Sequence, residues 1–194
     1  MDATALLRSG LLDGRLIALG GGGDGALGAP LAALGARTVR LPATTDEDAM
    51  AAAVDPATEV LVHDLRPAFA DGLRAALDLA WVTVRAVANG AFIPGTDAGP
   101  ASGTRNGGGN VTLIAPPASP DGDPAAAGAR AAAENLARTL SIEWARHGIA
   151  TVAITPAADG DDAQLAALAA YLASAAGDYF SGCRLALGET ALIA

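Results

Sequence analysis

Lysine is missing from all 194 residues of this chain. Its twelve basic side chains, at positions 8, 15, 37, 40, 66, 74, 85, 105, 130, 138, 146 and 184, are every one arginine. Any mechanism that needs a lysine amine is therefore excluded. Cysteine is nearly missing as well: Cys183 alone permits no internal disulfide, and no Cys/His cluster suggests zinc. Positive charge is in deficit, with 21 acidic against 12 basic residues and a net charge of −9, which argues against a nucleic-acid or anionic-membrane partner. Long apolar runs are lacking too. The longest Ala/Leu-rich stretch, 163–176, is broken by Gln164 and Ser174 and is too short to span a bilayer. Near the start, Asp2 precedes the first arginine and the apolar runs are short, unlike a secretory leader. These absences lead us to expect a soluble cytoplasmic protein with no metal.

An apolar content of 52% argues against disorder. The length suits one domain over 1–194, able to bury roughly 70% of its unfolded surface. The Ala/Gly/Arg bias resembles codon pressure in a GC-rich genome, so alanine richness carries no functional weight.

The order of elements reads as alternating strands and helices. Leu16–Leu19 is a short apolar run, followed by the glycine loop Gly20–Gly28 and an apolar helix with Leu31, Leu34 and a Pro30 that fits a first turn. Strands are expected at 38–41, 59–63, 111–115, 149–154 and 184–187. Helices are expected from Asp46, over 68–88, over 124–147 with Gly148 as its stop, and over 164–175. The stretch 94–110, rich in Gly, Ser, Thr and Asp, reads as a loop. This alternation predicts an α/β fold: one doubly wound parallel sheet, Rossmann-like, in three αβα layers.

Several stretches are similar to the short-chain dehydrogenase/reductase family, above all its 3-oxoacyl-ACP reductase branch. Leu12-Asp13-Gly14-Arg15 resembles that family's entry to its first strand. Glu59 to Asp64 resembles the strand that ends in an Asn-Asn-Ala-Gly motif. Ala129 to Pro156 resembles the active-site helix and the strand after it, and Tyr171 through Gly188 resembles the last helix and strand. The resemblance covers nearly the whole chain and implies the same fold.

It also marks what is missing. The Tyr-x-x-x-Lys pair would fall at Ala126 and Arg130, the carbonyl-polarising serine at Pro116, and the asparagine of the preceding helix near Ala80. The Asn-Asn-Ala-Gly motif reads His63-Asp64-Leu65-Arg66, the acidic residue before the second helix reads Ala43, and the Pro-Gly pair reads Pro156-Ala157. In the family the tyrosine hydroxyl gives a proton to the developing alkoxide and the lysine lowers its pKa. Alanine offers no proton, and the two tyrosines here, Tyr171 and Tyr179, both lie near the C-terminal end. The chain is also short by one strand–helix unit between Leu41 and Asp46, which in the family carries the adenosine-ribose site. The substrate lid between Pro156 and Gln164 is gone. No catalytic residue is assigned.

What remains is a glycine loop. Gly22, Gly25 and Gly28 could bring backbone N–H groups to a pyrophosphate, as a vestigial cofactor site. Against this stand Ala26, where the family spacing wants glycine, and Asp24, which would oppose a phosphate. No cofactor is expected beyond weak NAD(P) binding. His63 reads as a strand-end residue with a satisfied hydrogen bond, His147 as a cation suited to a helix end, Asp159, Asp161 and Asp162 as a solvated turn, and Cys183 as packing. In the resembled family the helices near 68–88 and 124–147 pack against neighbouring subunits, and here Trp81, Val84, Leu136, Leu140 and Trp144 keep large apolar groups. The expectation is a non-catalytic subunit that pairs, through those helices, with a competent relative or with itself. Two alternatives stay open: an atypical NAD(P)-dependent oxidoreductase, and a dinucleotide or small-molecule sensor.

Overall fold

The computed structural model describes residues 6–22, 26–94 and 108–188. Six parallel strands form one sheet: β1 (Leu16–Gly20), β2 (Arg37–Arg40), β3 (Val60–Asp64), β4 (Asn110–Ile114), β5 (Ala150–Pro156) and β6 (Cys183–Leu187), in the order β2-β1-β3-β4-β5-β6. Between them run α1 (Gly28–Ala33), α2 (Glu47–Ala52), α3 (Arg66–Phe69), α4 (Leu73–Val87), α5 (Pro124–Glu143) and α6 (Asp162–Ala173). The expected Rossmann-like layering is therefore found. The dinucleotide-binding order places one more strand outside the second. Among the described residues β2 is the edge, and a single six-residue helix, α2, leads from it to β3. Between β5 and α6 five residues intervene, too few for a substrate lid.

Central strands are apolar on both faces because helices cover both. Leu61 of β3, Val111 and Leu113 of β4 and Ala153 of β5 join one core beneath α2, α4 and α5. Val60, Val62, Ile114, Val152 and Ile154 join the other, beneath α1 and α6. The first residues of the sheet are held electrostatically: Arg15, nearly buried ahead of β1, donates to Glu59 ahead of β3 at 2.7 Å.

Local chemistry sets the helix ends. The Asp46 carboxylate accepts the N–H groups of Asp48 and Ala49, Asp123 accepts that of Ala125, and Asp161 accepts that of Ala163, each satisfying a donor that the first turn leaves unpaired. The long segment expected over 68–88 is two helices, because Gly72 at φ 106° breaks it. After α4 the chain widens into a π-turn over Ala88–Phe92, burying Phe92. α5 stops at Glu143, a short 3-10 turn follows, and Gly148 takes the left-handed conformation (φ 67°) expected of a helix stop. The loop expected over 94–110 lies almost wholly outside the described residues. Among those described, no helix is long and apolar enough to cross a membrane.

Two isoleucines separate core from surface. Ile154 is fully buried and Ile142, on α5, is 74% exposed. Ile154→Ala should destabilise the chain by roughly 2–5 kcal/mol, whereas Ile142→Ala should stay within about 0.5 kcal/mol. Urea midpoints for the two variants at unchanged m-value check this.

Candidate functional site

In a doubly wound sheet, ligands bind outside the carboxyl ends of the strands, at the point where strand order reverses. Here that point lies between β1 and β3. The residues that close those strands are Gly20 to Gly22 on one side and His63 to Arg66 on the other.

Glycine is required on the β1 side by the protein's own packing. A Cβ on Gly20 would stand 2.6 Å from His63 Nδ1, and one on Gly21 (φ 99°) would stand 1.9 Å from the Asp64 carbonyl oxygen. Of the three glycines expected to face a pyrophosphate, Gly22 is exposed at φ 78°, with Ala43 2.9 Å from where its Cβ would be. Gly28 opens α1 against Leu19, and Gly25, like Asp24, lies outside the described residues. α1 is six residues long, and no side chain caps its start.

On the β3 side, Asp64 and Arg66 form a tight pair. Asp64 Oδ1 accepts the Arg66 backbone N–H (3.0 Å), and both its carboxylate oxygens accept from the Arg66 guanidinium, the shortest bond being 2.8 Å. The same guanidinium donates through Nη1 to Asp162 at 2.8 Å. Its pKa is raised, first by the hydrogen bonds to Asp64 and further by Asp162, against the burial that would lower it. Arg66 thus straps the end of β3 to the first turn of α6, across ninety-six residues of sequence.

A second arginine works at the ends of β4 and β5. Arg130 Nη1 donates to the carbonyl of Pro156 at 2.7 Å and to that of Pro116 at 3.2 Å. Both prolines are buried, and so are Ala126 and Ala129 on the same helix. Arg130 therefore keeps a cation near the strand ends but directs it at main-chain carbonyls. Ala80, at the expected asparagine position, is fully buried in the core. The tyrosines sit elsewhere. Tyr171 is nine residues into α6 and packs edge-on against Phe180 at 6.0 Å, and Tyr179 is almost fully exposed.

His63 departs from expectation. It is fully buried, wedged by Gly20 and Thr83, and neither ring nitrogen has a hydrogen-bond partner. Burial pushes its pKa down to about 4, so it stays neutral at physiological pH. His147 accepts a hydrogen bond at Nε2 from Arg146 Nε (3.0 Å). The expected acidic turn is taken up structurally, with Asp161 capping α6 and Asp162 paired to Arg66. Cys183 is half-buried, and burial raises its thiol pKa. Among the described residues no group of His, Cys, Asp and Glu could hold a metal ion.

The apolar stripe expected to meet a partner is divided. Val84 and Leu140 are buried in the core beneath α4 and α5, and Leu136 and Trp144 pack partly against it. Trp81 does face outward, 42% exposed, with the Arg85 guanidinium 6.0 Å from its ring centre. The spacing that suggested an outer face suits an inner one equally well, because helical periodicity does not say which side is covered. Sequence reading missed the Arg66 strap and the use of Arg130. Neither leaves a local signal, since each joins segments far apart in the chain.

No family model matches this sequence, and no curated protein does. Solved structures do. The chain is similar to a citronellol catabolism dehydrogenase of Pseudomonas aeruginosa PAO1 (TM-score 0.71, 20% identity, 94% of this chain and 96% of that one). It is similar to a short-chain dehydrogenase/reductase from Serratia marcescens (0.66, 19%, 91% and 96%). A third is a 7α-hydroxysteroid dehydrogenase complexed with NADH and 7-oxo glycochenodeoxycholic acid (0.65, 16%, 91% and 93%). The chain has the short-chain dehydrogenase/reductase fold.

The buried histidine gives a pH signature. The unfolded chain binds a proton at His63 near pH 6.5 while the folded chain refuses it until about pH 4. Stability should fall as pH drops through that window, by about 3 kcal/mol in all from this group. His63→Leu should flatten that part of the curve. Chemical denaturation of both proteins between pH 7 and pH 4 checks it, and parallel curves would refute it.

Proposed function

We propose that this chain is a non-catalytic protein of short-chain dehydrogenase/reductase type, a structural or regulatory subunit that pairs with a catalytically competent relative. The observation that carries the reading is Arg130. At the position where the resembled family holds its lysine, a guanidinium is bound to the carbonyls of Pro116 and Pro156. One turn earlier, where the tyrosine would donate a proton, stands buried Ala126. Proton transfer to a ketone oxygen needs an acid within hydrogen-bond reach. His63 is sealed and neutral, and Tyr171 lies about 13 Å along α6 from its start.

Assembly is the remaining use of a maintained scaffold. Trp81 on α4 and Ile142 on α5 are the large apolar side chains these two adjoining helices leave exposed, and they would contribute to the contact with the partner. The glycine loop would add weak NAD(P) binding at most, with Gly22 facing solvent and Gly28 opening a helix of six residues.

A second reading keeps dinucleotide binding with atypical chemistry or none. In its favour are a crevice at the strand-order reversal and the NADH named with one solved structure of the same fold.

Co-expression with catalytically competent short-chain dehydrogenases from the same source, those of neighbouring genes first, should yield a stable complex on size exclusion, and Trp81→Glu should reduce complex recovery at unchanged thermal stability. A monodisperse monomer that ignores every such relative would refute the leading reading. Titration of the isolated chain with NAD(P)H should show weak binding and no ketone reduction, and turnover by the chain alone would establish the second.

A further inference from the structure

A crevice of about 500 Å³ opens between the loop after β1, the segment after β2 and the α3–α4 wall. It lies where the strand order reverses, the place that holds ligands in such sheets, and its volume is that of a small-molecule site. Part of the lining is apolar, from Pro67, Ala68 and Leu79. Thr45 supplies a hydroxyl, and Asp71 and Asp78 supply carboxylates.

Among the described residues the lining contains no arginine or histidine. Asp71 is exposed on the turn before α4. Asp78 accepts from Arg74 Nε at 2.7 Å, but that guanidinium is 90% exposed and lies outside the lining. Arg40 lines a smaller hollow that shares Gly22 and Ala43 with this one, and Arg66 is bound to Asp64 and Asp162. The charged side chains of the described lining, Asp71 and Asp78, are therefore both acidic. A phosphate would enter against them, whereas a cation would be drawn in.

We propose that this crevice binds a small organic cation, an amine carried on a compact apolar ring, with the ring against Pro67, Ala68 and Leu79 and the ammonium between Asp71 and Asp78. The assignment holds whether or not the chain has a protein partner, so its failure and that of the subunit reading are separate results.

Phenethylamine and phenylacetate test it, since they share a ring and differ in charge. Followed by backbone amide NMR on the intact chain, phenethylamine should shift Gly22, Ala68 and Ala75 saturably, and phenylacetate should not. Asp71→Asn should weaken the amine roughly threefold, a surface charge pair's worth. Arg74→Ala, which leaves Asp78 without its internal partner, should tighten it. The proposal is overturned by no saturable shift below roughly 10 mM, by equal response to both probes, by AMP or NADH moving the same amides at lower concentration, or by indifference to both substitutions.

Discussion

Two strand-end carbonyls and one guanidinium govern the functional edge of this molecule. A carbonyl at the end of a buried parallel strand has no following strand residue to satisfy it, and leaving it unpaired costs about 1–3 kcal/mol. Pro116, just past β4, and Pro156, the last residue of β5, bring two carbonyls within reach of one donor, and Arg130 answers both from α5, Pro156 also accepting from the Ala118 N–H at 3.4 Å. A guanidinium suits this work because its donors are fixed in a plane and it remains charged. A lysine could reach the same carbonyls but with one freely rotating ammonium. In a chain without lysine, the cation at this position has become part of the scaffold.

The neighbouring contacts follow the same logic. Gly21 lies so close to Asp64 that no side chain would fit, and Asp64 in turn anchors Arg66, which reaches to Asp162. From β1 to α6, the strand ends are joined by contacts within the chain. The crevice that remains lies toward β2 and α4, bordered by carboxylates. Part of the surface where a doubly wound sheet meets its ligand is thus taken up by internal bonds, and the part beside β2 and α4 stays open.

The sheet and its layers were legible in the sequence because strands covered on both faces read as unbroken apolar runs. Val60-Leu61-Val62 sends alternate side chains to two different cores. That Ala126, Arg130 and Pro116 stand where the resembled family has tyrosine, lysine and serine is likewise a matter of identity at a few positions. Three things were not legible. Leu140 and Val84 repeat at helical spacing whether they face inward or outward, and here they face inward. His63 has no hydrogen-bond partner and sits with Thr83 against Gly20, an arrangement of three elements that no local pattern encodes. Arg66 and Asp162 are ninety-six residues apart and meet because β3 and α6 open on the same edge of the sheet.

The residues at the positions where the resembled family holds its catalytic groups are physically independent of what maintains the fold. The groups that move protons in the resembled family lie at strand ends and on one helix turn, while the stability of the sheet resides in two apolar layers below them. Replacing a tyrosine by Ala126 removes a hydroxyl from the edge and leaves those layers intact. Replacing a lysine by Arg130 adds two bonds to backbone carbonyls. The unpartnered His63 shows the opposite case: a polar group kept inside at a cost, against the floor of β1 and β3. Among the described residues it is a buried titratable side chain for which packing offers no compensating bond.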